Sequence, residues 1–154
     1  MAAVRALAID LDGALGDTRP LWRDWVEDLA RKTRTALDLP DDRAAAAARL
    51  DELVGNWPAL LERFAEDRAP VYLRPDAQVS AALRRLAADG VRLGVFTDAP
   101  EPLARVALAH LGAARRVEAV ETGRDALERL VERFGSPLLV RTREELAVAA
   151  DANS

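Results

Sequence analysis

Apolar positions change their spacing along this chain, and each change marks a different element. From Val4 to Ile9 they are nearly continuous (Val4, Ala6, Leu7, Ala8, Ile9), the pattern of a strand buried on both faces. From Pro20 to about Leu39 they recur every three or four residues at Trp22, Trp25, Val26, Leu29, Ala36 and Leu37. That spacing predicts an amphipathic helix with Pro20 in its first turn. Asp41 or Asp42 caps a second helix that runs through Val54 and is closed by Gly55, and Trp57-Pro58 opens a third through about Asp67. The alanine run Ala44 to Ala48 is helix by propensity rather than a low-complexity linker.

Beyond residue 72 helices and strands alternate. Helices are predicted over 76–89, 101–111, 124–134 and 143–150, with Gly90, Gly112 and Gly135 just past the ends of the first three. Between them lie the strands "VRLGVFTD", "RVEAVET" and "PLLVRT". Strands separated by helices of this length imply right-handed crossovers and a parallel sheet. The expected architecture is a three-layer, Rossmann-like α/β core built from residues 1–15 and 73–154, with a helical insertion at 16–72 directly after the first strand.

Composition narrows what such a fold can do. The chain has 154 residues, of which 50% are apolar and 31% charged, enough for a compact core. A net charge of -4 argues against nucleic acid as a partner. Without cysteine there is no disulfide, thiolate metal site or cysteine nucleophile, and His110, near a helix end, is the sole histidine. Proton transfer or metal binding therefore rests on carboxylates, hydroxyls, backbone groups or solvent. The N-terminal apolar run is too short and too charged for a signal peptide, and no apolar stretch reaches the length of a membrane span. A cytoplasmic location is expected.

The unusual feature is where the first strand ends. Asp10 and Asp12 lie two residues apart at its carboxyl end, followed by Gly13; two carboxylates so placed repel each other unless a cation or a proton serves them. Ligands of open parallel sheets bind beyond the carboxyl ends of the strands, and polar residues gather at every one of them here: Thr97 and Asp98, Glu121 and Thr122, Arg141 and Thr142. The bland alternative is an Asx turn at Asp10–Asp12 and a threonine that merely ends a strand.

"IDLDGAL" at Ile9–Leu15, the helical insertion after it, and "VRLGVFTDA" at Val91–Ala99 together resemble the haloacid dehalogenase (HAD) superfamily, which consists mostly of phosphatases. The resemblance covers essentially the whole chain and makes the insertion a small helical cap. It implies that Asp10 is a nucleophile that forms an aspartyl-phosphate, and that Asp12 protonates the leaving alkoxide and then activates water. Asp12 also favours phosphoester hydrolysis over dehalogenation, because a halide needs no proton. Phosphate binding would fall to Gly13, Thr97 and Asp98, with the N-terminus of the following helix aimed at the same spot. Mg²⁺ is the implied cofactor, held through Asp10 and Asp12.

Two of the family's motifs are altered. Its third supplies a lysine or arginine; no lysine follows Lys32, which leaves Arg124, whose alternative is a solvent-facing place in a helix's first turn. Its fourth places acids after the last core strand, where this chain has Arg141 and Thr142. Glu144 and Glu145 either reach the site or simply favour a helix start. Magnesium normally needs at least one or two carboxylates in near-octahedral geometry, so Arg141 is expected to stand near Asp10 as a fixed cation in place of the missing ligand.

Two functions follow from these observations. One is a phosphomonoester phosphatase acting on a small phosphorylated molecule or similar anion, with weakened or lost activity. The other is an inactive HAD-like protein serving as a binding or interaction module. A phosphoacceptor receiver domain is disfavoured by the insertion and by the lack of a late lysine. The aromatics Trp22, Trp25, Trp57 and Phe64 have three available uses: a substrate pocket, contacts between helices, or the interface of a homodimer.

Overall fold

The computed structural model describes residues 4–152; residues 1–3 and 153–154, which the sequence assigns to the α/β core, lie outside that range. Four parallel strands, β1 (Ala6–Asp10), β2 (Arg92–Thr97), β3 (Ala119–Thr122) and β4 (Leu138–Val140), form one sheet in the order β3-β2-β1-β4. β1 is therefore central, which explains its unbroken apolar run: both faces are covered and both edges are paired. In register, Asp10 stands opposite Phe96, and Ile9 lies between Val95 and Val140.

Seven helices complete the described chain. They are α1 (Arg19–Thr33), α2 (Arg43–Leu53), α3 (Trp57–Tyr72), α4 (Ala77–Ala88), α5 (Glu101–His110), α6 (Ala126–Phe134) and α7 (Arg143–Ala152). One sheet face, with Ala8, Phe96 and Ala119, packs against Ala126 and Leu130 of α6. The other face, with Leu7, Ile9, Leu93 and Val95, joins a larger core that includes α4, α5 and α7. Gly94 is what brings α6 close: a Cβ there would lie 2.6 Å from both Leu130 Cδ1 and Phe134 Cε2.

The helices between β1 and α4 share that larger core. Trp22, Trp25, Leu50, Trp57 and Leu61 are buried in the same cluster as Leu7 and Ile9, and α3 packs along α5. The three indoles touch in sequence in tilted pairs, with centroids 5.2 Å apart for Trp22–Trp25 and 6.2 Å for Trp25–Trp57, and Trp57 Nε1 donates to Asp51 Oδ1 at 2.7 Å.

Two boundaries depart from the sequence reading. α1 ends at Thr33 instead of near Leu39, because Arg34 turns into the left-handed region (φ 53°) and its N–H closes the last turn. α3 continues to Tyr72 instead of stopping near Asp67 and carries Pro70 inside its last turn. Burial of Ala69 and Leu73 holds that turn in place, and the missing Pro70 N–H removes only one bond of the ladder.

Candidate active site

The first strand delivers its acids into a sharp turn, Leu11–Leu15. Asp10 Oδ1 accepts the Asp12 N–H at 3.1 Å, so the Asx turn does form, and it orients Asp12 back toward the sheet. Gly13 has φ +124°, and a Cβ on it would meet the Arg141 carbonyl oxygen at 2.5 Å. Its role is thus to let the first turn press against the end of β4. Its surface lines a hollow with Tyr72, Arg74 and Arg143.

Asp12 is the centre of the site. Its side chain is 8% exposed. Oδ1 accepts the Thr18 N–H and the Thr18 hydroxyl, each at 2.7 Å. Oδ2 accepts Arg43 Nη2 at 2.5 Å and the Thr97 hydroxyl at 2.9 Å. Burial alone would push this carboxyl up; Arg43 and the hydrogen bonds from Thr18 and Thr97 overcome it and hold Asp12 below the ordinary carboxylate value. Asp10 is shifted the other way. Burial, then the charge of Asp12, raises it, and the Arg141 guanidinium offsets only part of this from 3.1 Å between Nη1 and Asp10 Oδ2.

Arg43 is a residue of this site's cavity that the sequence did not point to. It opens α2, 31 residues from Asp12, and its side chain is 3% exposed. Nη1 donates to Thr18 Oγ1 at 2.7 Å, while Nη2 and Nε donate to Asp98 Oδ1 at 2.8 and 3.1 Å. Asp98 Oδ2 accepts the Arg43 backbone N–H at 3.2 Å. The one local hint was an arginine in the first position of a helix, where the macrodipole disfavours a cation; Asp98 compensates for it from across the fold.

Asp10, Asp12, Asp98 and Arg19, Arg43, Arg141 line one cavity of about 320 Å³, together with Phe96, Thr97, Gly123, Ala126 and Leu127. Three carboxylates thus face three guanidiniums. Arg141 also lies over the Phe96 ring, 5.4 Å from its centroid. The helix whose first turn lines this cavity is α6, not α5, the helix after Thr97 that the sequence pointed to.

Other expected residues lie elsewhere. Arg124 is exposed and does not line the cavity, and its carbonyl accepts from Arg129, which holds the loop after β3 through Thr122 and Glu121. Thr142 and Glu145 cap α7 reciprocally, Glu145 N–H to Thr142 Oγ1 at 3.1 Å and Thr142 Oγ1 to Glu145 Oε1 at 3.2 Å. Among the aromatics, Trp22 lines a second hollow that shares Arg19, Arg43 and Asp98 with the first, whereas Trp25 and Phe64 line another on the insertion. His110 Nε2 lies 3.0 Å from the Leu73 carbonyl oxygen, joining α5 to the end of α3.

The donor set does not fit Mg²⁺. Both Asp12 oxygens already take two donors, Asp10 Oδ2 faces Arg141, and the last strand presents a guanidinium where a carboxylate would be needed. Among the described residues no three carboxylate or imidazole side chains converge to hold a metal ion. Nor is any described helix long and apolar enough to cross a membrane.

No protein-family model matches the sequence, and no curated protein matches it either. Solved structures do match the fold. CbbY from Rhodobacter sphaeroides, in complex with phosphate, superposes with a TM-score of 0.67 at 14% identity over 96% of this chain and 83% of that one. A HAD-superfamily hydrolase of subfamily IA from Geobacter sulfurreducens gives 0.62 at 18% identity, covering 97% and 86%. A HAD phosphatase from Thermococcus onnurineus gives 0.53 at 22% identity, covering 85% and 72%. With β1 central, its acidic doublet at the carboxyl end and the helices inserted directly behind it, this chain has the haloacid dehalogenase-like fold.

Proposed function

We propose that this protein is a HAD-like binding module, which captures a small phosphorylated molecule or similar anion without transferring its phosphoryl group. In this reading residues 4–15 and 73–152 serve as the core and residues 16–72 as the cap. The observation that carries this reading is the state of Asp12. A general acid must hold a proton at working pH and release it to the leaving oxygen. Asp12 is held ionised by the buried Arg43, and its two oxygens accept four hydrogen bonds, so it has neither the proton nor a free lone pair facing substrate.

Capture is assigned to the guanidiniums at the mouth. Arg19 and Arg141 have side chains 59% and 51% exposed, and each donates to one neighbouring carboxylate, Asp17 or Asp10. A planar fork so placed suits a bidentate anion, and the first turn of α6 adds its dipole from the cavity wall. Occupation by phosphate would draw Arg141 off Asp10.

The second reading is a phosphomonoester phosphatase with Asp10 as nucleophile. One observation favours it: Asp10 keeps 18% of its side chain exposed and lines the same cavity as both rim arginines. Titration with inorganic phosphate followed by NMR, alongside turnover of an aryl phosphate with and without Mg²⁺, separates the two. Saturable shifts at Arg19 and Arg141 with no turnover are expected. Turnover abolished by Asp10→Asn would establish the hydrolase, and absence of both shifts and turnover would refute anion capture.

A further inference from the structure

We infer that Arg43, a guanidinium supplied by the helical insertion, is the resident cation of this pocket, bridging the Asp12 and Asp98 carboxylates and keeping a divalent metal from binding there. The inference rests on the reading of the pocket as non-hydrolytic, but it concerns charge balance and can fail separately from anion capture.

The geometry has the character of a coordination site. A single nitrogen, Nη2, bridges two carboxylates, 2.5 Å from Asp12 Oδ2 and 2.8 Å from Asp98 Oδ1. The neighbouring Nη1 donates to the Thr18 hydroxyl at 2.7 Å, so three oxygen-bearing side chains from two separate stretches of chain converge on one buried cation. Removing a guanidinium and two carboxylates from water is costly unless each is paired, and here each is. No buried side-chain nitrogen or oxygen among the described residues lacks a partner.

Arginine suits this task better than lysine. Its planar fork serves Asp12, Asp98 and Thr18 at once, where an ammonium would present a single point charge. The backbone contributes too, since the Arg43 N–H donates to Asp98 Oδ2 at 3.2 Å and fixes the start of α2 against the carboxyl end of β2. With Arg141 on Asp10, every cavity acid faces a covalently held cation, and an entering divalent ion would meet three guanidiniums.

The test uses metal-stripped wild-type protein and the variants Arg43→Ala and Arg43→Gln, with Mn²⁺ as the probe. Wild type is expected to show no saturable Mn²⁺ binding by calorimetry and no change in melting temperature on adding EDTA or about 1 mM Mn²⁺. Both variants leave Asp12 and Asp98 unbalanced, so each is expected to melt lower without metal and to recover by about 3 °C or more with Mn²⁺. The Arg43→Gln/Asp12→Asn double variant should lose that recovery. Saturable Mn²⁺ binding by wild type that Asp12→Asn abolishes would overturn the inference. So would variants, folded or unfolded, that do not respond to Mn²⁺ at any concentration.

Discussion

Replacing Asp12 by Asn keeps the shape of the side chain and removes its charge, which isolates what the buried ion pair contributes. The Asn carbonyl oxygen can keep both bonds from Thr18, now at 2.7 Å. The amide NH₂ takes the place of Oδ2 and faces two donors, Arg43 Nη2 and the Thr97 hydroxyl. Two hydrogen bonds to a charged acceptor are worth roughly 1.5–3 kcal/mol each. Thr97 can rotate its hydroxyl to accept from the amide, and Arg43 keeps Asp98, which together return part of that sum. The net loss expected is about 2–4 kcal/mol, at the lower edge of what breaking a fully buried pair costs. Urea denaturation of both proteins at pH 7 measures it.

The pH dependence of that difference provides a second check. Asp12 sits below its ordinary value of 3.8 in the folded protein, so its contribution is fully present above pH 3.8. As pH falls below 3.8 the unfolded chain takes up a proton that the folded chain resists, and the stabilisation drains away toward the lowered folded value. Asp12→Asn lacks this dependence, so its deficit should shrink in acid. A deficit under about 0.5 kcal/mol at pH 7, within the scatter of surface substitutions, would refute the reasoning. So would a deficit of equal size on both sides of pH 3.8.

Asp10→Asn should behave in the opposite sense. Because burial raises Asp10, its ionisation destabilises the fold as pH rises through and above 3.8, so the variant should equal or exceed wild type in stability at pH 7 and match it in strong acid, by the same denaturation assay. Gly13→Ala forces a Cβ to within 2.5 Å of a carbonyl at a φ that alanine avoids, and should cost about 2–4 kcal/mol. Gly55→Ala, with nothing within 4 Å, is the control and should stay close to wild type. Trp57→Phe loses the bond to Asp51 and the tilted contact with Trp25, with an expected loss of about 1–3 kcal/mol in thermal or urea unfolding and a weaker near-UV circular dichroism signal.

How much of this was legible in the chain itself differs from residue to residue. The apolar run Ala6–Ile9, the alternation after residue 72 and the glycines past the helix ends were enough to place a parallel sheet, because each reflects a local period or a local turn. The juxtaposition of Asp10, Asp12 and Thr97 followed from the rule that strand ends share one side of such a sheet. The limit of α1 was not legible, since Ala36, Leu37 and Leu39 keep an apolar character that suits a packed loop as well as a helix; nor was the persistence of α3 through Pro70, which depends on the burial of Ala69 and Leu73.

The amino-acid order therefore determined the strands and helices and the acidic doublet at the end of the first strand, all of which depend on neighbours a few residues apart. Tertiary structure alone decided which cation each acid would meet. Arg43 reaches Asp12 across 31 residues and Asp98 across 55, and Arg141 reaches Asp10 across 131. At such separations the partner of a charge is set by how helices pack and which water they exclude. Local propensity carries no information about that, and only the assembled core made Arg43, rather than any of the chain's other arginines, the counter-ion of Asp12.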